Sequence, residues 1–203
     1  MNERCVLFFG DSFVTGAGDE EGLGWPGRLV ASAWRNRLPM TAYNLGVRGE
    51  NTRDVARRFR AEAEPRVIPG ADNRAIFAVG ANDVSTDADG EQEIPTDESV
   101  RLMGEMLDAC GELGITAMVL GPGPAGIPDH DERSRALGDR LGQLSAERGL
   151  RYFAILDELL ASEAWTRSAR RNDGLHPSAE GYAALAELLE SAWLDWLRAS
   201  PGD

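Results

Sequence analysis

Cys5-Val-Leu-Phe-Phe9, followed at once by Gly10-Asp11-Ser12, decides how this chain is read. Five apolar residues closed by a glycine have the length and composition of a strand buried on both faces. The glycine lets another group approach the backbone, and the serine behind it brings a hydroxyl to the strand end. The same arrangement returns outward from this point. Short runs at 41–45, 74–79, 115–120 and 152–156 read as strands, and each is followed by small or polar residues. Between them lie amphipathic stretches that read as helices over 25–37, 52–63, 96–113, 132–149 and 178–198, with Asn51 or Thr52 as the N-cap of the second. Strand–helix alternation repeated five times predicts an α/β domain with a five-stranded parallel sheet covered on both faces, spanning 1–203 as one unit. In open sheets of this kind the working groups lie just beyond the carboxyl ends of the strands.

Composition narrows the chemistry. The chain has 203 residues and a formal charge of −13, and all 21 basic residues are arginine. An acidic surface of that size repels phosphate backbones and anionic bilayers, so neither nucleic acid nor integral membrane association is expected. Without lysine there is no P-loop and no Schiff base. Two histidines are too few for the usual metal clusters, so no metal and no cofactor are expected. Cys5 and Cys110 lie in apolar stretches and form no disulfide framework. The first apolar run is too short for a signal-peptide core, and a cytoplasmic protein is expected.

The strand ends carry four blocks: Gly10-Asp11-Ser12, Gly46 to Asn51, Gly80-Ala81-Asn82-Asp83, and Asp173-Gly174-Leu175-His176-Pro177 before the last helix. A serine hydroxyl needs a base to become a nucleophile, and histidine is the usual one. His176 follows Asp173 by three residues, a spacing that lets the carboxylate reach Nδ1–H and orient the ring. Backbone N–H groups of Ser12 and Gly49 and the side-chain amide of Asn82 are candidate donors to an oxyanion. Gly46 competes with Gly49 for that role. Asp11 and Asp83 read as supports that bond neighbouring backbone. Arg48 and Arg53 read as a solvated face that could otherwise meet an anionic substrate group. His130, in Pro128-Asp-His-Asp131, reads as a solvated loop residue, with a place in the substrate cleft as the alternative.

These blocks, in this order, resemble the GDSL/SGNH hydrolase family over residues 4 to about 185. The resemblance implies a flavodoxin-like three-layer α/β/α sandwich and a serine esterase. It implies a triad of Ser12, His176 and Asp173 and an oxyanion hole of Ser12, Gly49 and Asn82. The substrate is then a small acyl ester, and polar loops at 13–24, 84–95 and 121–131 without an apolar lid suggest short acyl chains. A non-catalytic small-molecule or nucleotide-binding module is the alternative on the same architecture. A phosphotransferase using Asp11 fails, because residue 13 is Phe and lysine is absent.

Overall fold

The computed structural model describes residues 3–200. Five parallel strands, β1 (Arg4–Gly10), β2 (Thr41–Gly46), β3 (Asp72–Ala78), β4 (Ile115–Leu120) and β5 (Arg151–Phe153), lie in the order β2-β1-β3-β4-β5. Helices α1 (Ser12–Thr15), α2 (Gly24–Arg35), α3 (Thr52–Ala63), α4 (Thr96–Glu112), α5 (Pro128–Glu147), α6 (Leu156–Ala161), α7 (Glu163–Arg171) and α8 (Ala179–Arg198) complete the fold. This is the α/β sandwich expected from the alternation.

Strand periodicity divides the core in two. Val6, Phe8, Ile76 and Met118 face one side, where Trp25 and Leu29 of α2 meet Tyr182, Leu185 and Trp193 of α8. Leu7, Phe9, Phe77 and Val119 face the other, against Val55 and Phe59 of α3, Met103 and Met106 of α4 and Leu141 of α5. Successive side chains of a strand point to opposite faces, so one continuous apolar run can feed both layers. The indole N–H of Trp193 donates to the Leu29 carbonyl at 2.9 Å, which satisfies the one polar atom of a buried tryptophan.

At the amino ends of the strands, Arg74 is almost fully buried. Its Nε donates to Asp72 at 2.7 Å, and its other nitrogens donate to the carbonyls of Trp196 and Ala199 at the end of α8. Its guanidinium also lies over the Trp196 ring, 4.9 Å from the centroid. Arg4 joins this network, bonding Asp72 at 2.7 Å and the Leu197 carbonyl at 2.8 Å. The last carbonyls of a helix lack intrahelical partners, and arginines supply them here.

Several boundaries differ from the sequence reading. Strand β5 stops at Phe153, and the residues after it enter two helices, α6 and α7, that the sequence reading lacks. Ser162 ends α6 and caps α7, accepting from Trp165 N–H at 3.3 Å. Helix α5 begins at Pro128 rather than 132, because proline at the first helical position costs no hydrogen bond.

Candidate active site

The strand order reverses beside β1, since β2 lies on one side of it and β3 on the other. A crevice opens at such a switch point, beyond the carboxyl ends of the strands. The loops leaving β1, β2 and β3 all meet there.

Ser12 is the first residue of α1. Asp11 caps that turn, its Oδ1 accepting from Phe13 N–H at 2.9 Å. Gly10 before it runs against the Ala78 carbonyl and Val14, where a Cβ would collide. Across the crevice, residues 172–177 form a tight loop. Asp173 Oδ1 accepts from the N–H groups of Leu175 at 3.0 Å and His176 at 2.7 Å. Its Oδ2 accepts from His176 Nδ1 at 2.7 Å. A carboxylate only accepts, so Nδ1 carries the proton and Nε2 is left as an acceptor. Ser12 Oγ lies 2.8 Å from that Nε2 and donates to it, across 164 positions of sequence.

Three ties draw the two loops together. Tyr182 O–H donates to the Ala17 carbonyl at 2.8 Å, and Ala179 N–H donates to Glu20 at 2.9 Å. Gly18, at φ +90°, leaves room for Asn172 and Pro177, which any side chain there would strike. Phe13 packs on the His176 ring from one side, with centroids 5.5 Å apart, and on Trp165 from the other, 5.6 Å apart. His176 and Ser12 are thus buried, while the Asp173 side chain remains about half exposed, at 48%. The hydrogen bond from the His176 ring, followed by the backbone N–H of His176, holds the Asp173 carboxyl well below the usual carboxylate range. Asp173 therefore stays anionic at any pH where His176 works as a base.

The donors come next. Gly46 already gives its N–H to Asn44 Oδ1 at 3.1 Å and is pressed against α1. Gly49, at φ +77°, lies in open space, and its N–H has no acceptor among the described residues. Of the two glycines the sequence offers, only Gly49 keeps a free N–H. Asn82 projects from the loop after β3 and donates to the Glu50 carbonyl at 2.8 Å, which leaves its second amide hydrogen uncommitted. Asp83, fully buried, accepts from Thr52 N–H at 2.8 Å and so ties the β3 loop to the start of α3. Asn51, rather than Thr52, caps that helix in a reciprocal box with Asp54.

Arg53 follows its sequence reading and His130 does not. Arg53 pairs with Glu98 at 2.9 Å, on the solvated face expected for it. His130, read from sequence as a solvated loop residue, is instead buried in the first turn of α5, with Nε2 2.9 Å from the Ala81 carbonyl. Trp165 was absent from the sequence reading altogether, because nothing in its own neighbourhood marks it as facing Phe13.

The buried Asp11 carboxyl beside the serine sets a measurable pH dependence. Burial, with a smaller contribution from nearby Asp83 and against the Phe13 N–H bond, pushes Asp11 up to about 7. An acid raised on folding contributes stability below its unfolded value, near about 4, that is lost as pH rises through the folded value. Asp11→Asn keeps an acceptor for Phe13. Its stability relative to the parent is expected to climb by up to about 1.4 kcal/mol per pH unit between pH 4 and 7 and then level off. Urea unfolding across that range measures it; a difference that does not change with pH would show that Asp11 is ionised throughout.

Beside the site, a cleft of about 620 Å³ runs between Pro124, Gly126, Arg135, Leu160, Trp165 and Leu175. A much smaller apolar space of about 20 Å³ lies next to Asp11, Phe13, Ala81, Gly123 and Trp165. Among the described residues no group of three or more His, Cys, Asp or Glu is placed to hold a metal, and no helix is long and apolar enough to cross a membrane.

The profile of the GDSL-like lipase/acylhydrolase family matches residues 8–184. Among solved structures the chain is similar to Axe2, an acetylxylan esterase from Geobacillus stearothermophilus. Identity is 19% over 97% of this chain and 95% of that one, with a TM-score of 0.75. Catalytic mutants of that enzyme replace a serine, an aspartate and a histidine. The chain is likewise similar to the lipase/acylhydrolase from Enterococcus faecalis. Identity there is 22% over 98% of this chain and 99% of that one, with a TM-score of 0.73. At these identities the structural likeness establishes the fold. No curated protein sequence matches.

Proposed function

Because this chain belongs to the GDSL-like lipase/acylhydrolase family and is a carboxylic ester hydrolase, we propose that it cleaves small esters of short acyl groups through an acyl-enzyme on Ser12. The observation that carries this reading is the 2.8 Å hydrogen bond between Ser12 Oγ and His176 Nε2, with Asp173 on the far side of the ring. In the proposed cycle Ser12 attacks the ester carbonyl and His176 takes its proton. Asp173 holds the tautomer and stabilises the imidazolium. Oγ–carbon bond formation moves the carbonyl π electrons onto oxygen. The N–H groups of Ser12 and Gly49 and the free amide hydrogen of Asn82 receive that charge. Collapse expels the alkoxide, which His176 protonates. Water then repeats the sequence on the acyl-enzyme, releases the acid and restores Ser12.

Two features support short acyl groups. Phe13, next to Ser12, packs its ring on His176 and Trp165 and so narrows the space beside the nucleophile. The wider cleft, walled on one side by Leu175 of the Asp173–His176 loop, suits the alcohol portion. The acetylxylan esterase neighbour, whose name states an acetyl ester of a carbohydrate, agrees with that division. The expected result with p-nitrophenyl esters is a kcat/KM for acetate at least about 10-fold above that for octanoate. Phe13→Ala should shift the preference toward longer chains. Equal rates from acetate to octanoate in the parent would refute the short-acyl assignment.

The direct test is a fluorophosphonate probe followed by peptide mapping. A single adduct on Ser12 supports the reading. An unlabelled, folded protein that hydrolyses no ester supports the binding-module alternative instead.

A further inference from the structure

His130 plays no part in the cycle above, yet it is one of only two histidines in the chain and is buried at 9% exposure. Its Nε2 lies 2.9 Å from the Ala81 carbonyl oxygen. A carbonyl cannot donate, so Nε2 carries the proton, and Nδ1 is left as an acceptor. Ser134, one turn further along α5 and itself buried, faces Nδ1 at 3.4 Å. Asp131 Oδ1 is 3.8 Å from Nδ1 and also accepts from Ala125 N–H at 2.8 Å. The ring is therefore held with its Nε2–H aimed at one backbone oxygen.

That oxygen belongs to the peptide unit that begins Asn82. A peptide is planar from one Cα to the next, so fixing the Ala81 C=O direction fixes the plane that carries the Asn82 Cα. One turn along α5, Arg133 Nε donates to the Val84 carbonyl at 2.9 Å, clamping the other side of Asn82-Asp83. Gly80, at φ +114°, lies just before this unit and gives the chain a left-handed corner that other residues rarely adopt. The peptide after such a corner depends on outside bonds for its orientation. Asn82 is also held by its own amide on the Glu50 carbonyl at 2.8 Å. That bond leaves one amide hydrogen free, and the direction of the free hydrogen follows the backbone beneath it.

We infer that His130 is a positioning residue for the oxyanion hole, its Nε2–H on the Ala81 carbonyl setting the orientation from which the Asn82 amide meets the developing charge. This inference rests on the proposed acyl-enzyme reading and adds a residue from α5 to it. Without the bond the Ala81 carbonyl is a buried acceptor with no partner, and the peptide turns to relieve it. Asn82 turns with it.

The test uses the full chain with p-nitrophenyl acetate. Asn82→Ala is expected to lower kcat by about 10²–10³-fold. His130→Ala should lower kcat by about 10- to 100-fold, with KM changed by less than about threefold. His130→Gln, whose amide N–H reaches the place of Nε2, should recover most of that loss; the shorter His130→Asn should not. In the Asn82→Ala background, His130→Ala should change kcat by less than about twofold, because the group it orients is gone. Should His130→Ala fail to fold, the Gln and Asn pair carries the comparison. The inference is overturned if folded His130→Gln is as slow as Asn or Ala. It is also overturned if the His130 and Asn82 losses multiply, or if His130 variants match the parent. A parent protein that neither labels at Ser12 nor hydrolyses esters would instead remove the acyl-enzyme reading. An active parent with indifferent His130 variants removes this inference alone.

Discussion

Ser12→Ala is expected to lower kcat on an activated ester by at least about 10⁴-fold and to abolish fluorophosphonate labelling, with the folded structure unchanged. The substitution removes one oxygen and its 2.8 Å bond to His176. The Asp11 cap on Phe13 N–H remains, and alanine is a good helix former at the first position of α1. Backbone donors and Asn82 also remain, so some acceleration over water should persist. On the proposed reading the loss is large because Ser12, His176 and Asp173 work as a unit, and deleting one strands the others. Circular dichroism and the melting temperature separate a dead enzyme from an unfolded one. A folded Ser12→Ala protein with a tenth of the parental rate would exclude covalent catalysis at this serine and move the chemistry elsewhere.

The second large effect is on stability and lies at the opposite end of the sheet. Arg74→Ala is expected to cost about 3–5 kcal/mol, read as a lower urea midpoint and a melting temperature lower by roughly 10 °C. Arg74 is 1% exposed and serves Asp72, the carbonyls of Trp196 and Ala199 and the Trp196 ring at once. Removing it leaves buried helix-terminal oxygens without donors, while Asp72 keeps Arg4. Arg74→Met, which refills the volume but not the hydrogen bonds, should recover only part of the loss. The kcat of Arg74→Ala should match the parent at temperatures where it is folded, because its side chain lies at the amino end of β3 and Asn82 follows the carboxyl end. A cost below about 1 kcal/mol would mean that the ion pair and its carbonyl bonds contribute almost nothing net.

Much of this architecture was legible in sequence, and the parts that were share a property. Cys5 to Phe9 declared β1 because a strand buried on both faces is apolar without interruption. The 52–63 helix was read to the residue because its cap and amphipathic period are local. Asp173 and His176 were legible as a pair for the same reason, their bond spanning three positions. Ser12 was legible by its place at a strand end. Which of Gly46 and Gly49 keeps a free N–H was not, because that depends on Asn44 accepting from Gly46. Helices α6 and α7 were invisible because they are short and joined through a shared serine rather than a glycine or proline. His130 was misread because its partner is a backbone carbonyl 49 positions away, and no side chain near it encodes that carbonyl. Arg74 sits in a strand pattern that gives no hint of its burial, since the Trp196 and Ala199 carbonyls that accept from it arrive more than 120 residues later. Local chemistry can be read from a string of letters; satisfaction of a polar group at long range needs the topology.

The 164-position span between the hydroxyl and the imidazole has a consequence for the order in which the site can assemble. In chain order the whole sheet precedes the segment that carries Asp173 and His176. A fragment ending before residue 173 would hold the whole sheet and Ser12 but not the Asp173–His176 pair. On the proposed acyl-enzyme reading, ester turnover is expected only once α8 has docked and brought that pair to Ser12, so turnover reports the long-range closure of the fold.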